Sequence, residues 1–110
     1  MELYLKSLVQ AIRKKPRVEV DIDLNFIMEL YEKQEGLCSM SDIKMTCNPA
    51  PDDIYNVSIE RLDLSKGYTK DNVELCIRAM HKARAKFPRE FVIQGAISVY
   101  KHRLNQVQVS

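Results

Sequence analysis

No stretch of this chain approaches the roughly 18 consecutive apolar residues that a membrane span requires, so no membrane partner is expected. The N-terminal residues lack the apolar core of a signal peptide, because Lys6, Gln10 and Arg13 interrupt them. There is no CxxC pair, and the cysteines, Cys38, Cys47 and Cys76, are odd in number. That argues against a disulfide framework and for reduced thiols in a cytoplasmic compartment. With His81 they make a nominal Cys3His zinc set. Structural zinc usually draws ligands from close pairs, however, and the residue three after Cys38 is Ser41, so structural zinc is disfavoured and buried free thiols are expected. Internal repeats and low-complexity tracts are absent, and 110 residues suffice for one domain but not two.

Charge of the two signs nearly balances, at a formal +2, so net charge alone argues for no partner. Its distribution says more. Arg13, Lys14, Lys15 and Arg17 form one basic cluster; Arg78, Lys82, Arg84, Lys86 and Arg89 form a second around His81. Clustered cations can neutralise phosphates even when the total is small. The plainer alternative for each cluster is a solvated helix face.

Leu5, Leu8, Val9 and Ile12 recur at i, i+3, i+4 and i+7, predicting an amphipathic helix from Glu2 to Lys15 that Pro16 stops. Val18, Val20 and Ile22 alternate with charged residues, as a short extended segment or a linker would. Asp23 is the expected N-cap of a helix running to about Gln34, with Gly36 as stop signal and Phe26, Ile27, Leu30 and Tyr31 as its buried stripe. Leu37 to Thr46 reads as an irregular hairpin or strand with Asp42 near its turn, and Asn48 to Asp53 (NPAPDD) as a surface loop. Val57 to Leu62 alternates like a strand, and Ser65-Lys66-Gly67 turns the chain. A helix is then expected from Asp71 or Asn72 to about Lys86. Phe87-Pro88 separates it from a last helix with Pro88 in its first turn and Ile93, Ile97, Tyr100 and Leu104 as its stripe.

The stretch Ser58–Arg84 concentrates the chemistry: Glu60 on the strand, Asn72 after the turn, then His81 and Arg84 three apart on one helix face. It reads Ser58-Ile59-Glu60-Arg61-Leu62-Asp63, Gly67-Tyr68 and Asn72-Val73. This resembles the short phage and bacterial members of the HNH, or ββα-metal, endonuclease family, whose strand has the form Ser-x-Asp-Arg-x-Asp. A weaker likeness extends upstream through Gly36-Leu37-Cys38 and Ile43 to Thr46, so that about half the chain, Gln34 to Lys86, is covered. The resemblance implies an α+β fold: one domain over 1–110, with N-terminal helices in 1–36, a ββα-metal core over 37–86 and a C-terminal helix over 88–105. It implies that Glu60 and His81 hold a divalent metal, Mg²⁺ in the first place and Mn²⁺ as the alternative. Asn72 would tie down the loop carrying the general base, and Arg84 would sit near the scissile phosphate.

The chemistry asks for such groups on its own account. A hard divalent ion takes one or two protein ligands, retains waters and accepts phosphate oxygens, while arginine can grip the same phosphate. The sequence departs from the family in two places. Glutamate replaces the metal aspartate, and Arg61 stands where the family has its general-base histidine, although the short phage-type members share this arginine. Arginine cannot accept a proton, so the candidates to replace it are Asp63, Tyr68, the distant His102 or metal-bound hydroxide acting without a side chain, while Arg61 could stabilise phosphate charge. Asn72 could equally be a helix N-cap, and Cys76 reads as packing.

The expected function is metal-dependent endonucleolytic cleavage of DNA, duplex or branched, in a prokaryotic or phage-infected cytoplasm. A homodimer would use the N-terminal helix. Two alternatives stand beside it: an inactive HNH-derived nucleic-acid-binding module, and a small helical interaction protein with structural zinc.

Overall fold

Two five-residue strands form the centre of the molecule. In the computed structural model, which describes residues 1–50 and 52–109 and the side chains of 1–50 and 52–106, strand β1 (Val57–Arg61) pairs antiparallel with β2 (Val73–Ile77). Val57 lies opposite Ile77, and Arg61 opposite Val73. Because side chains alternate along a strand, Val57, Ile59, Arg61, Val73, Leu75 and Ile77 share one face, and Ser58, Glu60, Glu74 and Cys76 the other. The apolar members of the first face join the core with α1 (Glu2–Arg13) and α2 (Leu24–Lys33) through Leu5, Val9, Ile12 and Ile27. Helix α3 (Arg78–Arg84) packs on both strands, and α4 (Arg89–Val109) follows. The fold is α+β, with four helices and one two-stranded antiparallel sheet among the described residues.

Local sequence accounts for most of the framework. Of the expected stripe of α1, Leu5, Val9 and Ile12 are buried and Leu8 is half-buried, although the helix ends at Arg13, two residues short. Asp23 accepts the Phe26 amide proton at 2.9 Å as N-cap of α2, and Gly36 turns the chain at φ +70°, where a Cβ would be disfavoured. Residues 37–44 form a tight hairpin: Cys38 N–H donates to the Ile43 carbonyl and Asp42 sits at φ +62° in its turn. This hairpin and α2 also cover the outer edge of β2. The Gln34 amide both donates to the Leu75 carbonyl and accepts from the Leu75 N–H, while the Cys38 sulfur accepts from Ile77 N–H. An edge strand's free backbone groups are thereby satisfied. The loop after the hairpin is tied by buried Asn56, which bonds Asn48 and Ala50; Pro51 of that loop lies outside the described residues.

One expected element is corrected. The helix expected from 71 or 72 to 86 is instead strand β2 over 73–77 followed directly by α3 over 78–84. Val73, Leu75, Cys76 and Ile77 are all buried, and a strand covered on both faces reads as a continuous apolar run that periodicity cannot distinguish from a helix. Asn72 is accordingly not a helix N-cap.

Helix α4 begins after Pro88 and, among the described residues, the contacts that tie it to the rest of the fold lie at its start. Phe91 lies 5.0 Å from Phe87, ring to ring, and Arg89 pairs with Glu74 at 3.0 Å. Its expected stripe of Ile93, Ile97, Tyr100 and Leu104 is exposed, whereas Leu5, Val9 and Ile12 of α1 lie within the core.

Candidate functional site

The polar face of the hairpin is roofed by α3. The helix starts immediately after β2, so its first turn is held over that face and brings His81 and Arg84 back above Glu60. Glu60 is only 1% exposed, and both of its oxygens are engaged. Oε1 accepts from the Arg84 guanidinium at 3.0 Å; Oε2 lies 3.1 Å from His81 Nδ1 and accepts from the Cys76 thiol at 3.4 Å. Burial of a carboxylate costs several kcal/mol unless it is paired in this way. That burial pushes the Glu60 carboxyl up, but the His81 hydrogen bond and charge, the Cys76 hydrogen bond and Arg84 together outweigh it and leave the group below its usual value. Burial, and then the neighbouring Glu60 charge, push the Cys76 thiol well above the ordinary range.

Arg84 is as buried as its partner. Besides Glu60, its guanidinium donates to the carbonyls of Arg61, Leu62 (3.0 Å) and Phe87 (2.7 Å). It therefore clamps the end of β1 to the end of α3, and is directed into the protein and not toward a surface phosphate. His81 is different: its side chain is 43% exposed, so Glu60 orients one ring nitrogen while the ring still meets solvent.

Asn72 holds the loop that follows β1. It is 4% exposed; its Oδ1 accepts the Asp63 amide proton at 2.9 Å, and its Nδ2 donates to the carbonyls of Asp63 and Gly67 at 3.0 and 2.8 Å. Gly67 sits where an added Cβ would run into the Glu19 carbonyl, because Tyr68 N–H donates to that same carbonyl. The Gly67–Tyr68 end of the turn is thus pinned against the extended segment at Val20, which the sequence read as strand or linker, while Asn72 holds the Asp63 end.

The other expected site residues lie apart from this cluster. Arg61 neighbours Glu60 in sequence and so points to the opposite face of the sheet. It donates to the Leu64 and Lys66 carbonyls and stacks over the Tyr68 ring at 5.1 Å. Asp63 is exposed and accepts from the amide and hydroxyl of Ser65, which hold its carboxyl below the usual value and make it a weak base. Tyr68 is buried, its hydroxyl accepting from Lys15 at 2.8 Å, and His102 lies exposed on α4.

Sequence reasoning set Cys76 aside as packing. Glu60, Cys76 and His81 bring an oxygen, a sulfur and a nitrogen within 4.8 Å of one another, the one such group among the described residues. Strand parity is the signal that finds it: once 73–77 is a strand paired to β1, Cys76 must share a face with Glu60. Cys38 and Cys47 do not join it, so the nominal Cys3His set is not assembled.

No family model, curated protein or solved structure matches this chain. The site therefore has to be judged on its own geometry.

Proposed function

We propose that this protein is a metal-dependent endonuclease of HNH type, hydrolysing phosphodiester bonds in duplex or branched DNA in the cytoplasm of a prokaryotic or phage-infected cell. The observation that carries the reading is the convergence of Glu60 and His81, from a strand and the helix that follows its hairpin, beside a loop locked by Asn72. The order β1, β2, α3 is also that of a ββα-metal unit, flanked here by N- and C-terminal helices.

The donors fit a divalent ion. Glu60 Oε2 and His81 Nδ1 already lie 3.1 Å apart on one side of the carboxylate, and His81 leaves an open, solvent-facing side for substrate. Glu60 and His81 would hold such an ion, and the chemistry it would supply there is polarisation of the phosphoryl group and stabilisation of a departing 3′ oxygen. The chain's own residues supply the rest. To ligate through Nδ1, His81 carries its proton on Nε2. Arg84 keeps Glu60 ionised and aimed, acting as a positioning residue. Lys82 on α3 and Lys86 just after it, both exposed, bind flanking phosphates. Asn72 holds the 63–67 loop at the edge of the site. Arg61, a permanent cation on the opposite face, takes no proton; the proton of the attacking water passes to solvent.

The test is cleavage of supercoiled plasmid and of branched DNA by wild type and His81→Ala in Mg²⁺, Mn²⁺ and EDTA. Metal-dependent nicking that disappears in the variant is expected. The Arg84–Glu60 pair favours one competing reading, since it offsets the charge a metal would otherwise find: an HNH-derived module that grips nucleic acid without cutting. Salt-sensitive binding unaffected by EDTA, without cleavage, would establish that reading and overturn the enzyme.

A further inference from the structure

The donors around Glu60 carry one inference further, which rests on reading the cluster as a metal centre. We propose that Cys76 is a third protein ligand, and that the site takes a zinc-class transition-metal ion through one oxygen, one nitrogen and one sulfur. Mg²⁺, bound through Glu60 and His81 alone, is the ion this excludes.

Geometry supports it first. A tetrahedral ion with bonds of about 2.0–2.1 Å to oxygen and nitrogen and about 2.3 Å to sulfur holds its ligand atoms about 3.3–3.6 Å apart. Glu60 Oε2 already lies 3.1 Å from His81 Nδ1 and 3.4 Å from Cys76 Sγ, with all three atoms within 4.8 Å. Hydrogen bonds now occupy the triangle an ion would fill, so little rearrangement is needed. His81 is the one member of the set that meets solvent, so a water or phosphate oxygen would take the fourth position, which catalytic zinc sites keep open, from its side.

Charge supports it independently. Arg84, buried and 3.0 Å from Glu60, already offsets that carboxylate. A dication held by Glu60 and neutral His81 would leave two uncompensated positive charges in a buried place. A coordinating thiol is deprotonated outright, and its negative charge halves that excess. On binding, one proton leaves the Cys76 sulfur for solvent as the sulfur–metal bond forms, and the Nδ1 proton that His81 now donates to Glu60 is given up to solvent, leaving the ring neutral with its one proton on Nε2. Soft sulfur then selects zinc-class ions over Mg²⁺, which takes oxygen ligands.

The test is Co²⁺ titration of the full chain, followed by absorption. Expected is one equivalent bound, with a near-ultraviolet sulfur-to-cobalt charge-transfer band retained in Cys47→Ser and lost in Cys76→Ser. Cys76→Ser, checked for folding by circular dichroism, should bind Co²⁺ at least ~100-fold more weakly, matching or exceeding the largest losses seen on removing outer-shell partners. Excess Mg²⁺ should not displace the cobalt, whereas Zn²⁺ should. Stoichiometric binding that needs His81 but shows no charge-transfer band in wild type overturns the ligand assignment and leaves the metal centre standing. No binding of Co²⁺ or Zn²⁺, with Mg²⁺-dependent cleavage intact, also overturns it. No binding of any divalent ion removes both proposals.

Discussion

The two faces of one small hairpin are built on opposite principles. On the first, Val57, Ile59, Val73, Leu75 and Ile77 are held by apolar packing against α1 and α2, where one buried group can replace another of like volume at modest cost. On the second, Glu60 is nearly as deeply buried but is held by Arg84, His81 and Cys76, each through a directional contact. Equal burial therefore does not mean equal tolerance. The apolar face responds to lost volume; the polar face responds to lost partners, because an unpaired buried charge cannot be hydrated or repacked.

Breaking the second face should show the larger effect. Arg84→Ala strips Glu60 of its counter-ion and orphans the carbonyls of Arg61, Leu62 and Phe87, so a loss of about 3–5 kcal/mol is expected in urea unfolding. Adding Glu60→Leu to Arg84→Met should recover part of that loss. A double-mutant cycle should give a coupling of about 1–3 kcal/mol; strict additivity would show that the pair does not act as a unit.

Leu75→Ala probes the first face. It should cost about 2–5 kcal/mol through the cavity it leaves, and Leu75→Met less than about 1.5 kcal/mol. No volume-matched apolar replacement of Glu60 alone should be tolerated comparably while Arg84 remains. If Glu60→Leu proves as mild as Leu75→Met, the contrast between the faces fails.

Asn72→Ala lies at the margin between them. Three side-chain hydrogen bonds to the 63–67 loop are lost, for an expected cost of about 2 kcal/mol. Amide exchange should rise at Asp63 before it rises in the strands. Asn72→Asp, which keeps the acceptor but loses both donors, should fall between wild type and alanine.

The smallest effect is the pH response of Asp63. Its folded carboxyl titrates below the ordinary value of 3.8 because Ser65 bonds the ionised form. The turn's contribution is therefore complete above that value and fades as pH falls through the lower folded one. Carboxyl chemical shifts should give a midpoint below 3.8 in wild type that moves up in Ser65→Ala. A midpoint unmoved by that substitution would deny Ser65 its role.

Local signals in the sequence reached far along the chain. The stripe of Leu5, Val9 and Ile12, the Asp23 cap, the Gly36 stop and the turn at Asp42 are each legible because the forces responsible act within a few residues. The division of 72–86 into strand and helix was not legible. It depends on pairing Val73–Ile77 with a strand sixteen residues upstream, and burial on both faces erases the alternation that would mark it. Glu60, Asn72, His81 and Arg84 all stood out as chemistry, but Arg84 was expected beside a scissile phosphate. Nothing local says that its guanidinium will be buried among three backbone carbonyls.

The sequence by itself determined the α+β content, the two N-terminal helices with the Asp23 cap of the second, the turn at Ser65–Gly67 and the spacing of His81 and Arg84 on one helix face. Only the tertiary structure decided that Cys76 faces Glu60, that Arg61 does not, that Arg84 points inward, and that the stripe of α4 stays uncovered. The reason is range. Helix periodicity and capping are written in neighbouring residues, whereas the face a strand residue occupies and the partner a buried charge finds are set by long-range pairing that no local pattern encodes.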